Sequence, residues 1–212
     1  MKAILFDLDG TLVDSSLGIL NAFQRTFKQL DLSTPDKEVL STYIGPPLET
    51  TFANYFLEES EINLAISHFR QFYKKEGVYQ VTLYEGITTL LKKLNDSGYY
   101  LYLTTSKHEP MANVMLEELG IKHFFKAIYG SREDRFLKAD IIKACLLDFS
   151  INPEDAIIIG DTSFDIIGGK ENKIKTLGVT WGFGKKTDFQ VAGADHIADS
   201  LLEVYKLLVK NK

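Results

Sequence analysis

The chain has 212 residues and a mass of 24.0 kDa, with 24 Lys and Arg against 29 Asp and Glu for a formal charge of −5. That acidic balance excludes a dedicated binder of nucleic acid polymers or anionic membranes, which need a basic face. A hydrophobic fraction of 45% with 25% charged residues excludes wholesale disorder, and the length suits one domain or one domain with an insertion.

The first predicted element is a buried strand, Ala3-Ile4-Leu5-Phe6. A strand covered on both faces reads as a continuous apolar run. Asp7 and Asp9 interrupt the apolar start at once, so no secretory leader is expected. No apolar run approaches the ~20 residues of a membrane span. The expected location is the cytoplasm, where the single Cys145, unable to form an internal disulfide, stays reduced.

From about residue 15 to 80 the periodicity becomes helical, with no convincing strand before Tyr100. Ile19, Phe23, Phe27 and Leu30 share one face, as do Ile62, Ala65, Phe69 and Phe72. Between them, Tyr43-Ile44-Gly45-Pro46-Pro47-Leu48 is either a plain inter-helix turn or a segment that meets a ligand. Leu90, Leu91 and Leu94 follow Gly86 as the face of another helix. Tyr100-Leu101-Tyr102-Leu103 is the next strand, followed by Thr105-Ser106-Lys107. Ser106 with Glu109 fits a capping box, and Gly120 fits a helix stop. Further strands are expected at Ala127-Ile128-Tyr129, Ala156-Ile157-Ile158-Ile159 and Thr176-Leu177-Gly178-Val179. Ile141 to Leu147 is apolar enough to make Cys145 a packed core thiol. Trp181-Gly182-Phe183-Gly184 reads as core packing and a turn, or as a wall of a site mouth. Ser200 with Glu203 caps a last helix whose stripe is Leu201, Val204, Tyr205 and Leu208.

Strands alternating with amphipathic helices imply an α/β fold. The expected architecture is a Rossmann-like, mainly parallel sheet with helices on both faces. Residues 1–14 and 81–212 form this core, and 15–80 form an inserted all-helical cap. The insertion leaves just after the first strand's carboxyl end, where open α/β sheets bind ligands.

Acids cluster at two strand ends. Asp7 and Asp9 stand two apart, so a strand would turn both toward one pocket. Such a pair is costly unless a cation or shared proton compensates. Gly160-Asp161-Thr162-Ser163-Phe164-Asp165 follows another buried strand. There Asp165 either joins the site or complements a helix dipole. Thr105 and Ser106, at a strand-to-helix junction, offer hydroxyls and backbone N–H groups to an anion, although Ser106 could simply cap a helix. Lys138, taken alone, reads as a surface charge. His68, His123 and His196 suggest no chemistry, and His108 sits beside the candidate anion loop.

In this order, the residues resemble the haloacid dehalogenase-like hydrolases, in their phosphoglycolate-phosphatase-like branch. Asp7-Leu8-Asp9-Gly10-Thr11-Leu12-Val13-Asp14-Ser15 resembles that family's first motif. Thr105 resembles its second, Lys138 its third and Gly160-Asp161 through Asp165 its fourth. Ile44-Gly45-Pro46-Pro47-Leu48 resembles a segment of a 5′-nucleotidase-like sub-branch.

The resemblance implies a Mg2+-dependent phosphatase of small organic phosphate monoesters, phosphoglycolate-like in substrate. In it, Asp7 is the nucleophile that becomes an aspartyl-phosphate, and Asp9 is the acid and base. Lys138 restrains Asp7 and neutralises phosphate. Thr105 and Ser106 hold phosphoryl oxygens. Asp7, the Asp9 carbonyl and Asp161 hold Mg2+, with Asp165 acting through water. Gly45 and Pro46 in the cap would select substrate. Alternatives on the same chemistry are a 5′-nucleotidase, a pyrophosphatase or a β-phosphoglucomutase-type mutase. A phosphate-compound sensor is the non-enzyme alternative. The expected partner is a small phosphorylated metabolite, met by a monomer or homodimer.

Overall fold

A computed structural model describes residues 2–210. Its centre is a six-stranded sheet of β1 (Ala3–Phe6), β4 (Tyr100–His108), β5 (Phe125–Ser131), β6 (Ala156–Gly160), β7 (Lys175–Val179) and β8 (His196–Ala198). The spatial order is β5-β4-β1-β6-β7-β8, and every neighbouring pair is parallel. Alternation within the apolar runs divides the core into two layers. Ile4, Phe6, Leu101, Leu103, Ile157 and Ile159 face one layer, and Ala3, Leu5, Tyr102, Ala156 and Ile158 the other.

The first layer receives α5 (Ile87–Asp96), α6 (Glu109–Glu118) and α10 (Leu201–Lys210) through Leu91, Met115 and Val204. The second receives α7 (Lys138–Asp148) through Ile141, Ile142 and the buried Cys145, whose thiol burial pushes up to about 12. On that side α8 (Ser163–Glu171) presses Gly169 against Ile158 and Thr176. The short α9 (Lys186–Val191) buries Phe189 under Gly178. Helices therefore cover both faces. Among the described residues no helix is long and apolar enough to cross a membrane.

The inserted cap comprises α1 (Ser16–Gln29), α2 (Lys37–Ser41), α3 (Leu48–Phe52) and α4 (Glu59–Lys75). Its centre is aromatic. The Phe23 ring lies 4.6 Å from Phe69 and 5.7 Å from Phe52, and Phe27 lies 4.9 Å from Tyr55, centroid to centroid. Rings at such separations add edge and tilted contacts to the area they bury.

Four details depart from the expectations. A short antiparallel pair, β2 (Val13–Asp14) with β3 (Thr82–Leu83), lies where no strand was expected. Two residues are too few to show a period, yet they tie the two chain crossings into the cap together. β4 runs on to His108, with a register shift after Thr104. Ser106 is thus in a strand, and α6 begins at Glu109, whose carboxylate serves Arg132, Arg135 and the Gly130 N–H instead of a capping box. At the last helix the Glu203 N–H donates to Ser200 Oγ at 3.3 Å, but the Glu203 carboxylate accepts from Asp199 rather than closing the box. β8 has no apolar run to announce it. The stop at Gly120 is as expected: its φ is +67° and the Ile121 N–H reaches back to the Leu116 carbonyl.

Candidate active site

The site lies at the carboxyl ends of β1, β4 and β6, beneath the cap. Asp7 directly follows β1, and its N–H donates to the Ile159 carbonyl. A tight turn of residues 8–13 then folds back, with Gly10 at φ +81°. A Cβ on Gly10 would stand 2.0 Å from Asp161 Oδ2, so close approach and positive φ both demand glycine there. Asp161 follows β6. Its Oδ1 accepts from the Thr11 hydroxyl at 3.1 Å and its Oδ2 from the Phe183 N–H at 2.8 Å. Asp165 sits in the first turn of α8. Its Oδ2 accepts from both the Thr162 N–H and the Thr162 hydroxyl, a reciprocal cap. Asp165 thus joins the cluster and also sits in the first turn of a helix, where it serves as a cap beyond the dipole role expected of it.

Asp7, Asp161 and Asp165 are all buried, with one carboxylate oxygen from each within 4.8 Å of the others. Lys138, the first residue of α7, is buried among them. Its Nζ donates to Asp7 Oδ1 at 2.6 Å and to the Thr104 carbonyl at 2.9 Å, and lies 2.7 Å from Asp165 Oδ1. One cation facing three acids leaves the cluster short of positive charge. Burial, together with Asp165, outweighs the pull of Lys138 and raises the Asp7 carboxyl to about 6. Burial, Asp7 and Asp165 push the Asp161 carboxyl well above the usual range. Burial alone would drive Lys138 toward neutrality, but Asp165 and Asp7 hold it charged. Asp165 Oδ1 is buried, with the Lys138 ammonium as its partner. Three clustered carboxylates that share a single ammonium, two of them held above their usual range, fit a divalent cation.

Asp9 is not in this trio. Its Oδ1 accepts from Ser15 Oγ at 2.5 Å, and its Oδ2 lies 2.8 Å from Lys107 Nζ. The two acids therefore face one cleft with different partners. Thr105 and Ser106 line that cleft, and the Thr105 hydroxyl accepts from the Lys107 N–H at 3.2 Å. The cap supplies the roof. Tyr43 through Glu49 line it, and Gly45, at φ +106°, approaches Thr162 so closely that a Cβ would stand 2.9 Å from the Thr162 methyl. Ile19, Phe23, Phe69, Met111 and Phe136 give the cleft an apolar wall, and Arg70 and His108 a polar one. Burial and the neighbouring Arg70 lower the His108 pKa, keeping the ring neutral.

Sequence reasoning gave two participants no role and left a third between packing and a site wall. Lys107 and Ser15 hold Asp9, and the loop after β7 holds Asp161. In that loop the Trp181 indole donates to the Thr11 carbonyl at 3.1 Å, and the Gly184 N–H to the Asp161 carbonyl. A Cβ on Gly182 would stand 2.3 Å from Asp161 Oδ2. The spaced glycines of that loop were the available signal, because repeated glycine marks close backbone approach.

Other proteins share this arrangement. The chain is 45% identical to a haloacid dehalogenase-like hydrolase from Streptococcus pneumoniae, with a TM-score of 0.92 over 98% of both chains. It is 36% identical to a protein from Clostridium acetobutylicum described as a predicted phosphatase, with a TM-score of 0.94 over 99% of this chain and 98% of that one. A 5′-nucleotidase from Pseudomonas aeruginosa is 33% identical over 97% of this chain and 94% of its own length. Residues 4–179 match the family described as haloacid dehalogenase-like hydrolase. An acid cluster built around a strand-end aspartate, a helical cap above it and a family match over most of the chain lead to one conclusion: this enzyme belongs to the haloacid dehalogenase-like hydrolases, as a phosphatase of the helical-cap kind.

Proposed function

We propose that the chain is a Mg2+-dependent phosphatase of small organic phosphate monoesters that works through an aspartyl-phosphate. The observation that carries this reading is the buried trio of Asp7, Asp161 and Asp165 around Lys138, of which Asp7 and Lys138 line a cleft that also receives Asp9 and Thr105. Asp7 attacks phosphorus as the ester P–O bond breaks, and the Asp9 carboxyl gives its proton to the departing alkoxide. Water then attacks the phosphorus of the aspartyl-phosphate and loses a proton to the Asp9 carboxylate. Lys138 fixes the attacking oxygen of Asp7 and offsets phosphoryl charge, while Thr105 and Ser106 donate to phosphoryl oxygens. Asp7 and Asp161 would hold the Mg2+ with the Asp9 carbonyl, and Asp165 would act through water. The ion's chemistry is to supply the positive charge that this acidic cluster and a dianionic phosphate both lack. Residues 15–80 act as the cap on a core of 1–14 and 81–212, with Gly45 and Pro46 meeting the leaving group.

A nucleoside 5′-monophosphate is the second reading. The aromatic wall of Phe23, Phe69 and Phe136 favours it, as does the likeness to a 5′-nucleotidase. The test is phosphate release from a panel of phosphorylated metabolites, phosphoglycolate and nucleoside monophosphates included, with and without Mg2+. Trapping of phosphate on Asp7 is the expected result. Turnover that survives both metal removal and Asp7→Asn would sink the mechanism.

A further inference from the structure

The environment of Asp9 is assembled from both halves of the molecule. Ser15 Oγ donates to Oδ1, and Lys107 Nζ lies 2.8 Å from Oδ2. The same ammonium donates to the hydroxyl of Tyr73 at 2.7 Å and stands 4.4 Å from the centroid of that ring. Tyr73 belongs to the cap helix α4, is 3% exposed and stacks on Phe69 of the cleft wall at 5.7 Å. Lys107 is held at its other end by the core. Its N–H is bonded to Thr105 Oγ1, and its carbonyl packs against Gly130 too closely to admit a Cβ there. Burial works against the charge on Lys107, but Asp9 and Tyr73 more than restore it.

This lysine differs from Lys138, which faces Asp7 and Asp165 inside the metal cluster. The Lys107 ammonium instead bridges Asp9 to the cap. We infer that Lys107 is a positioning residue for Asp9 and that the cap sets it through Tyr73. With the cap seated, the phenol hydroxyl and ring fix the ammonium, and the ammonium fixes the carboxylate oxygen opposite Ser15. With α4 withdrawn, Lys107 loses both contacts and Asp9 loses a fixed partner. Closure of the cap and alignment of the proton donor are then one event. This rests on the reading of Asp9 as acid and base.

The experiment compares kcat/KM, which reports steps through phosphorylation of Asp7, for phenyl phosphate and p-nitrophenyl phosphate. The two have similar shapes, but phenolate is the poorer leaving group and needs the proton more. Asp9→Asn should lose ~10²–10⁴-fold on phenyl phosphate and much less on p-nitrophenyl phosphate. Lys107→Met should reproduce that split at ~10²-fold, with inhibition by orthovanadate, a probe of the phosphate site, unchanged within about threefold. Lys107→Arg should restore part of the loss. Tyr73→Leu should show the same split, and Tyr73→Phe, which keeps the ring, a smaller one. Circular dichroism checks each fold, and Tyr73→Phe and Lys107→Arg carry the test if Lys107→Met does not fold. Equal losses on both esters with weaker vanadate inhibition would make Lys107 a phosphate ligand and overturn the inference. So would a split at Lys107 that is absent at Tyr73→Leu. A split at Asp9→Asn without one at Lys107→Met overturns this inference and leaves the proposed mechanism standing. No split at Asp9→Asn removes the acid–base reading and this inference with it.

Discussion

Asp7 and Asp9 are two residues apart, yet they belong to different parts of the molecule. The close charged partners of Asp7 are core residues: Lys138 at the start of α7, and Asp161 and Asp165 around the end of β6, with Asp9 adding a weaker repulsion. The partners of Asp9 are a residue at the cap hinge and a lysine of core strand β4 that the cap touches. Ser15 precedes the first cap helix, and Lys107 leans on Tyr73 of the last one. The parallel sheet fixes the first set, because β1, β4 and β6 are adjacent and end together. The second set depends on where the cap sits. On the proposed mechanism, covalent chemistry is built into the core, and proton transfer and selection are shared with the cap.

The largest effects fall on the core side. Removing metal with EDTA, or making Asp7→Asn, should abolish turnover of every phosphate ester, with Mg2+ restoring only the wild type. Asp7→Asn should also raise the Tm of the metal-free protein at pH 8, by ~2–4 °C for each kcal/mol of relieved repulsion. The wild-type carboxyl is raised from 3.8 to about 6, so ionising it opposes folding. A Tm that falls instead would show that Asp7 and Lys138 form a net stabilising pair, erasing the contrast drawn here.

Next in size is the clamp on Asp161. Gly182→Ala places a methyl 2.3 Å from Asp161 Oδ2 and 2.4 Å from the Gly10 carbonyl. Disturbing a carboxylate's supporting contacts typically costs ~10–100-fold in metal affinity. Calorimetric titration with Mg2+ measures it, and unchanged affinity in a folded variant would separate the loop from the site.

On the cap side, Gly45→Val combines a strained φ of +106° with a contact at Thr162. It should raise KM for large leaving groups and shift preference among esters, by ~10-fold, while acetyl phosphate still phosphorylates Asp7. One common factor across all substrates would deny the cap its selective part. The smallest effect is that of pH. Protons compete with metal for Asp7, so Mg2+ affinity should strengthen as pH rises through about 6. In the metal-free protein the sign reverses. Stability is fully present below 3.8 and is lost as pH climbs toward about 6. Denaturant midpoints from pH 4 to 8, with and without Mg2+, test both.

The core was legible because strands buried on both faces are written as apolar runs, and their ends carry acids that no core needs. Asp7, Asp9, Asp161 and Asp165 stand out for that reason. Lys138 gained meaning only from its order among them. What escaped notice is what sequence distance hides. Lys107 and Tyr73 meet across 34 residues, and the indole of Trp181 reaches Thr11 across 170. Neither has a local period to betray it. The apolar run of β4 ends at Leu103, but pairing with β5 continues through buried Thr104 to the half-buried His108.

Trp181 carries a practical consequence. It is the only tryptophan in the chain. Its ring nitrogen is bonded to the turn that carries Gly10 and Thr11, and its loop grips Asp161. Intrinsic fluorescence excited at the indole therefore comes from a single reporter beside the carboxylate cluster. Filling that cluster, or loosening it, becomes an optical signal that needs no label and can be followed within the mixing time of a stopped-flow instrument.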